Sequence, residues 1–252
     1  MGEDLRRVDG FFLLWLAVGT MMAAAEAPDA AGKNDDANPV AQVRNERGWE
    51  YGPFLNWGTG VGNRSDYKFF WGGFELGKVM TPVIRAKFLT GQFGMAGNIM
   101  PLWQAYTPPP HTVPITCVTS AGQLYPCNYP FGGGTFRGVS LTPVIFRWNF
   151  LTHSRRIQPW FQAAGGLIYT THKYPPNYLS NNNPARGPLL NGGTSVWNFS
   201  PQGGGGVHIF VHSKRSLDIG VNGVHISSAS LGDHNPGVNA SVQVQVGYTF
   251  WK

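Results

Sequence analysis

From about residue 49 to its C-terminus, the chain is patterned with a period of two. Val242, Val244, Val246, Tyr248 and Phe250 alternate with Ser241, Gln243, Gln245, Gly247 and Thr249. Ile157, Phe161, Ala163, Leu167 and Tyr169 alternate in the same way with Gln158, Gln162, Ala164, Gly166 and Thr170. So do Leu89, Phe93, Met95 and Ile99 with Thr90, Gln92, Ala96 and Asn98. Successive side chains of a strand point to opposite faces, so each segment has one apolar face and one polar or very small face. No window carries a convincing 3.6-residue apolar period, and the fold class is all-β.

Eight such segments can be counted, at about 49–59, 66–79, 84–101, 135–150, 156–171, 196–212, 215–229 and 238–251. Alternation alone does not separate a soluble barrel, apolar inside, from a transmembrane one, apolar outside. Segment length favours the membrane, because a tilted spanning strand needs about 9–11 residues. Connections alternate between short (80–84, 151–155, 213–214) and long (60–65, 102–134, 172–195, 230–237), as in outer-membrane barrels. The final strand is aromatic-rich, ending Tyr248-Thr249-Phe250-Trp251-Lys252. The expectation is an eight-stranded antiparallel transmembrane β-barrel of the bacterial outer membrane over 48–252, with a soluble lipocalin-like lipid-binding barrel as the alternative.

The N-terminus fits that address. Residues 11–25, FFLLWLAVGTMMAAA, are too few to span a bilayer comfortably and precede small-residue cleavage options, so 1–27 reads as a signal peptide. Residues 28–47 are polar and read as a disordered periplasmic leader. Removing 1–27 takes away Arg6, Arg7, Glu3, Asp4, Asp9 and Glu26, which raises the net charge from +6 to +8. In an exported chain that charge suits lipopolysaccharide or phospholipid headgroups; no nucleic-acid-binding motif accompanies it. Cys117 and Cys127, the only cysteines, lie in one loop of an exported chain and read as a disulfide.

The chemistry concentrates in Val224-His225-Ile226-Ser227-Ser228-Ala229-Ser230-Leu231-Gly232-Asp233-His234-Asn235-Pro236-Gly237-Val238-Asn239. His225 and Ser227 are two residues apart, so on a strand they share a face, and a hydroxyl nucleophile needs a base within reach. Leu217, Ile219 and Val221 have the same parity, which puts the polar pair at the end of an oily stripe. With the N-terminus periplasmic, that end faces outward. A serine esterase also needs a group to orient the base and an oxyanion donor. After Gly48 the acids are Glu50, Asp66, Glu75, Asp218 and Asp233. Asp233, or less readily Asp66, can approach His225; otherwise an amide must serve.

This segment resembles the lipid A 3-O-deacylase (PagL) family of outer-membrane esterases, which are acyloxyacyl hydrolase-like. The matching residues are His225-Ile226-Ser227, Ala229 and Asn235-Pro236-Gly237-Val238-Asn239, and the likeness is tightest over about 217–252. The resemblance implies Ser227 as nucleophile, His225 as base and Asn235 at the oxyanion hole. It also implies lipid A within lipopolysaccharide as substrate, outer-membrane lipids as surroundings, and no metal or organic cofactor. Two positions depart from the family pattern: Ser228 stands where asparagine usually follows the serine, and Asn239 falls at the position of the triad acid. Asn239 would need a bulge to turn toward His225, and Asp233 is the alternative orienting acid. A catalytically silent structural or adhesion barrel is the competing function, and a homodimer is left open.

Other features carry plainer readings. His208 and His212 read as solvated, without a third metal ligand. Gly203-Gly204-Gly205-Gly206 marks either a groove for an acyl chain or relief of crowding inside the barrel. Trp57, Trp71, Trp103, Trp148, Trp160, Trp197 and Trp251 read mostly as interfacial anchors near strand ends. Asn181-Asn182-Asn183 with Pro184 reads as a loop tip.

Overall fold

The computed structural model describes residues 38–252 except 120, 132, 176–194, 230 and 232–238. The expected signal peptide, the leader up to residue 37 and the 181–184 loop tip therefore lie outside the described residues. The remainder forms a helix and ten strands: α1 (Pro39–Glu46), β1 (Trp49–Gly60), β2 (Lys68–Val79), β3 (Gly91–Tyr106), β4 (His111–Val118), β5 (Leu124–Phe131), β6 (Thr135–Phe150), β7 (Ile157–Tyr174), β8 (Ser195–His212), β9 (Arg215–His225) and β10 (Ala240–Trp251). Eight strands close in the order β1-β10-β9-β8-β7-β6-β3-β2, all antiparallel. The barrel is therefore a simple meander that closes on itself, interrupted once by the separate hairpin β4–β5.

Alternation becomes inside and outside. Leu55, Phe74, Leu76, Ile99, Leu141 and Phe146 stand exposed on the outer wall. Their partners in the period, among them Asn56, Gln92, Gln162, Asn222, Gln243 and Gln245, are buried within. An apolar belt of this extent is not left facing water. The polar interior also removes the lipocalin-like alternative, which requires the opposite arrangement. The chain is an outer-membrane β-barrel, and among the described residues no helix is long and apolar enough to cross a membrane.

The interior is filled, not open. Within the lumen Arg147 bridges two carboxylates, 2.8 Å from Glu50 and 2.6 Å from Glu75, and donates to Gln162. Gln162 bonds Asn222, which bonds Gln245, so the network spans the lumen from β6 to β10. Toward the outer end lies an aromatic layer that includes Trp71, Trp103, Phe136 and Tyr174. Trp71 stacks on Trp103 at 5.9 Å, and Tyr174 meets Trp103 edge-on at 5.4 Å.

Several expectations need correction. The polar composition of 28–47 predicts disorder, but Pro39–Glu46 is helical. Asn38 caps the helix by accepting from Ala41 N–H at 3.0 Å, and Pro39 occupies its first turn. Val40 and Val43 bury against Val79, Phe210 and Trp251 at the periplasmic mouth. Two valines at helical spacing suffice once a barrel end is there to cover them, and the polar average of the segment hides them.

The third strand begins at Gly91 and not at 84, because Lys87 adopts a left-handed φ of 50-odd degrees within a short 3₁₀ turn, Lys87–Leu89. The strand then runs on to Tyr106. Trp71, Trp103, Trp160 and Trp251 are core residues, not anchors, since strand parity turns them inward. Trp57 and Trp197 do face out, and Trp148 is half-buried.

His208 is not solvated. It is buried and its Nδ1 lies 2.7 Å from Asp218 Oδ1, which also accepts from Ser216. The tight turn at 213–214 should pair His208 with Ile219, but a register shift between Phe210 and His212 moves the partner to Asp218. In the glycine run, crowding decides at Gly206. A Cβ there would lie 2.5 Å from the Trp160 ring, and one at Gly220 would lie 2.6 Å from it. Cys117 and Cys127 are disulfide-bonded across β4 and β5, as expected.

Candidate active site on the lipid-facing wall

β9 runs outward and ends at His225, with β8 and β10 as neighbours. Its inward residues Ser216, Asp218, Asn222 and Val224 are buried, and this alternation continues past the strand end through Ile226 and Ser228. His225 and Ser227 consequently share the outer wall with Leu217, Ile219 and Val221, and both are half-buried. The expected common face is the observed one.

The backbone around Ser227 is held firmly. Its N–H donates to Phe199 O at 2.9 Å and its carbonyl accepts from Phe199 N–H at 2.7 Å, so β8 fixes its height on the wall. Ser227 Oγ accepts from Ala229 N–H at 3.1 Å. Ala229 has a φ of 49°, a left-handed conformation uncommon for a residue with a Cβ. Such local strain is often found next to functional groups. Phe199, Trp197 and Tyr169 form an apolar flank on the outside of β7 and β8, with the last two rings 4.9 Å apart.

Among the described residues the His225 imidazole has no hydrogen bond to Ser227 or to an acid. Glu50 and Glu75 are committed to Arg147, and Asp218 to His208 and Ser216 near the opposite end of β9. Asp66 is exposed on the same rim, in the loop whose Val61 N–H donates to Ala240 O. Asp233 and Asn235 lie outside the described residues.

Asn239 is placed differently from the expectation. Ala240 is the direct partner of His225, and Asn239 O accepts from Ile226 N–H at 2.8 Å. No bulge interrupts that register, so the Asn239 side chain keeps inward parity and is buried beside Tyr174. It does not meet the imidazole on the outer wall.

A family model described as lipid A 3-O-deacylase (PagL) matches residues 127–249, from the second strand of the hairpin to the end of β10. His225, Ser227 and Asn239 all fall within the matched residues. Among solved structures, the chain is similar to the outer membrane enzyme PagL at 16% identity, covering 79% of this chain and 98% of that one, with a TM-score of 0.43. It is similar to Neisserial surface protein A at 13% identity, 81% and 97% coverage and a TM-score of 0.47. The N-terminal barrel domain of Pseudomonas aeruginosa OprF gives 11%, 79%, 97% and 0.36. No curated protein matches the chain.

Proposed function

We propose that this barrel is a serine esterase that hydrolyses an ester-linked acyl chain of lipid A, the 3-O-acyl chain, in the outer leaflet. The observation that supports this reading is the position of His225 and Ser227: an imidazole and a hydroxyl on one face, on the lipid side of the wall, at its outer end, inside the residues that the PagL family model matches. A soluble hydrolase would keep such a pair in a water-filled cleft. Here the acyl ester of a membrane lipid reaches it laterally.

In this mechanism Ser227 Oγ attacks the ester carbonyl while His225 takes its proton. The tetrahedral oxyanion collapses to an acyl-serine, and the imidazolium returns the proton to the departing sugar hydroxyl. Water, activated by His225, then attacks the acyl-serine to release the fatty acid and restore Ser227. Asn235 is the proposed oxyanion donor. With Asn239 turned inward, Asp233 becomes the candidate for orienting His225 from the loop that follows.

The test is mass spectrometry of lipid A after expression in a bacterium whose lipid A carries 3-O-acyl chains. The expected result is loss of one hydroxyacyl mass. Ser227→Ala and His225→Ala should each lower the rate by a factor on the order of 10³ or more. Full activity in Ser227→Ala overturns the nucleophile assignment. The second reading is a silent barrel of the same fold, favoured by the inward, buried side chain of Asn239 at the position of the triad acid. Unchanged lipid A with folded wild-type protein would support it.

A further inference from the structure

A second feature lies on the same wall, around the barrel from His225. In hydrogen-bonded rows, His225 faces Ala240 on β10. One row closer to the membrane centre, Gly223 is followed by Val242, Thr59, Lys68 and Tyr106 on β10, β1, β2 and β3. The row below that holds Val244, Trp57 and Phe70. These two rows line a groove of about 700 Å³ whose walls include Trp57, Phe70, Tyr106, Val242 and Val244, with Lys68 at its outer rim. That volume is of the size that holds a small ligand or acyl chain.

Lys68 is set up to receive an anion. Its Nζ donates to Thr59 Oγ1 at 2.8 Å and to Ser65 O at 3.0 Å, both uncharged acceptors. An ammonium has three donors, so one N–H and the full positive charge remain for an outside partner. None of the ion pairs among the described residues involves Lys68. A lysine that merely snorkels extends its head freely into water. This one is tied down over the mouth of an apolar groove, at the outer end of β2.

We propose that this groove is a second contact site for the substrate: Lys68 binds a phosphate on the sugar headgroup of lipid A, and the groove takes an acyl chain that is not cleaved. The proposal rests on the deacylase reading above and extends it. Lys68 is three strands from His225, about 14 Å at roughly 4.8 Å per strand. A phosphorylated disaccharide with several acyl chains covers that span, whereas a phospholipid carries its phosphate and chains at a single point. Anchoring phosphate and chain here would hold one particular ester at Ser227, by proximity and not by new chemistry.

The experiment measures lipid binding to the Ser227→Ala protein in detergent by native mass spectrometry, so that turnover plays no part. The probes are bisphosphorylated lipid A, the same lipid A with its phosphates removed, and phosphatidylglycerol. Adding Lys68→Gln should weaken binding of the phosphorylated form about tenfold and leave the dephosphorylated form unchanged. Val242→Trp, which fills the groove, should weaken both. Equal binding of phosphorylated lipid A with and without Lys68 overturns the proposal. Phosphatidylglycerol bound as tightly and with the same dependence on Lys68 overturns the assignment to lipid A. The exposed Lys68→Gln change leaves the barrel core intact, and heat-modified mobility on gels verifies folding. Should Ser227→Ala prove fully active, the deacylase mechanism fails while these binding results still stand or fall independently.

Discussion

Asn239 sits beside His225 in the sheet yet on the other side of it. Ala240 pairs with His225, so the preceding side chain enters the lumen next to Tyr174. Asn239→Ala should therefore leave the deacylation rate within about twofold and instead lower barrel stability by about 1 kcal/mol through its lost polar contact. Lipid A mass spectrometry and a urea unfolding midpoint check the two halves separately. A large loss of rate at unchanged stability would restore Asn239 as the orienting residue. Gly220 makes the same point about faces. Its missing side chain is the space taken by the Trp160 ring, and Trp160 is itself buried. Gly220→Val should cost about 1–3 kcal/mol by overpacking, read as a lower unfolding midpoint.

At the level of elements, α1 acts as a clasp across the periplasmic turns. Val40 N–H donates to Arg155 O, Gln92 donates to Arg44 O, and Lys214 pairs with Glu46 at 2.8 Å. The hydrogen bond from Lys214 holds the Glu46 carboxyl below its ordinary value of 4.5. A depressed carboxyl contributes stability above its unfolded pKa and loses that contribution as pH falls through the lower folded value. Docking of α1 should thus weaken below about pH 4.5, and Glu46→Gln should remove this pH dependence while leaving the valine contacts. Because both groups are partly exposed, the effect is small. Amide hydrogen exchange in residues 39–46 between pH 3 and pH 7 measures it; an unchanged pH profile in the variant would count against the pair. The hairpin β4–β5 stands apart from the barrel ladder, and its disulfide closes a short loop worth at most about 3 kcal/mol.

Across the whole molecule, stability depends on an inverted partition. The apolar face meets lipid, so the lumen must satisfy its own polar groups. Arg147 is the centre of that arrangement, and removing it would leave Glu50 and Glu75 facing each other without a counter-charge. Arg147→Met is expected to destabilise the barrel by about 3–5 kcal/mol. Replacing Glu50, Glu75 and Arg147 together with apolar residues of similar size should recover most of that loss. Thermal unfolding in detergent monitored by gel mobility decides it, and an Arg147→Met barrel as stable as the parent would refute the central role. The barrel also explains the site's location. β8 runs outward past its last pairing with β9, Gln202 with Val224, to Ser195, so the wall drops from β8 to β9, where His225 lies.

The period of two, the alternating connection lengths and the His225–Ser227 spacing were legible in the sequence, because each depends only on local strand geometry. Which face would meet lipid was also readable, once length and export signals were added to the alternation. Tertiary structure decided what local geometry does not contain. The register shift between Phe210 and His212 brought His208 to Asp218, and the barrel mouth gave two valines of α1 a surface to cover. The unbroken pairing of Ala240 with His225 sent Asn239 inward, and closure of β1 against β10 brought Val242 beside Thr59 and Lys68 to make a groove. A strand fixes the side on which a residue lies; its neighbours on other strands depend on register and closure, which are properties of the whole sheet.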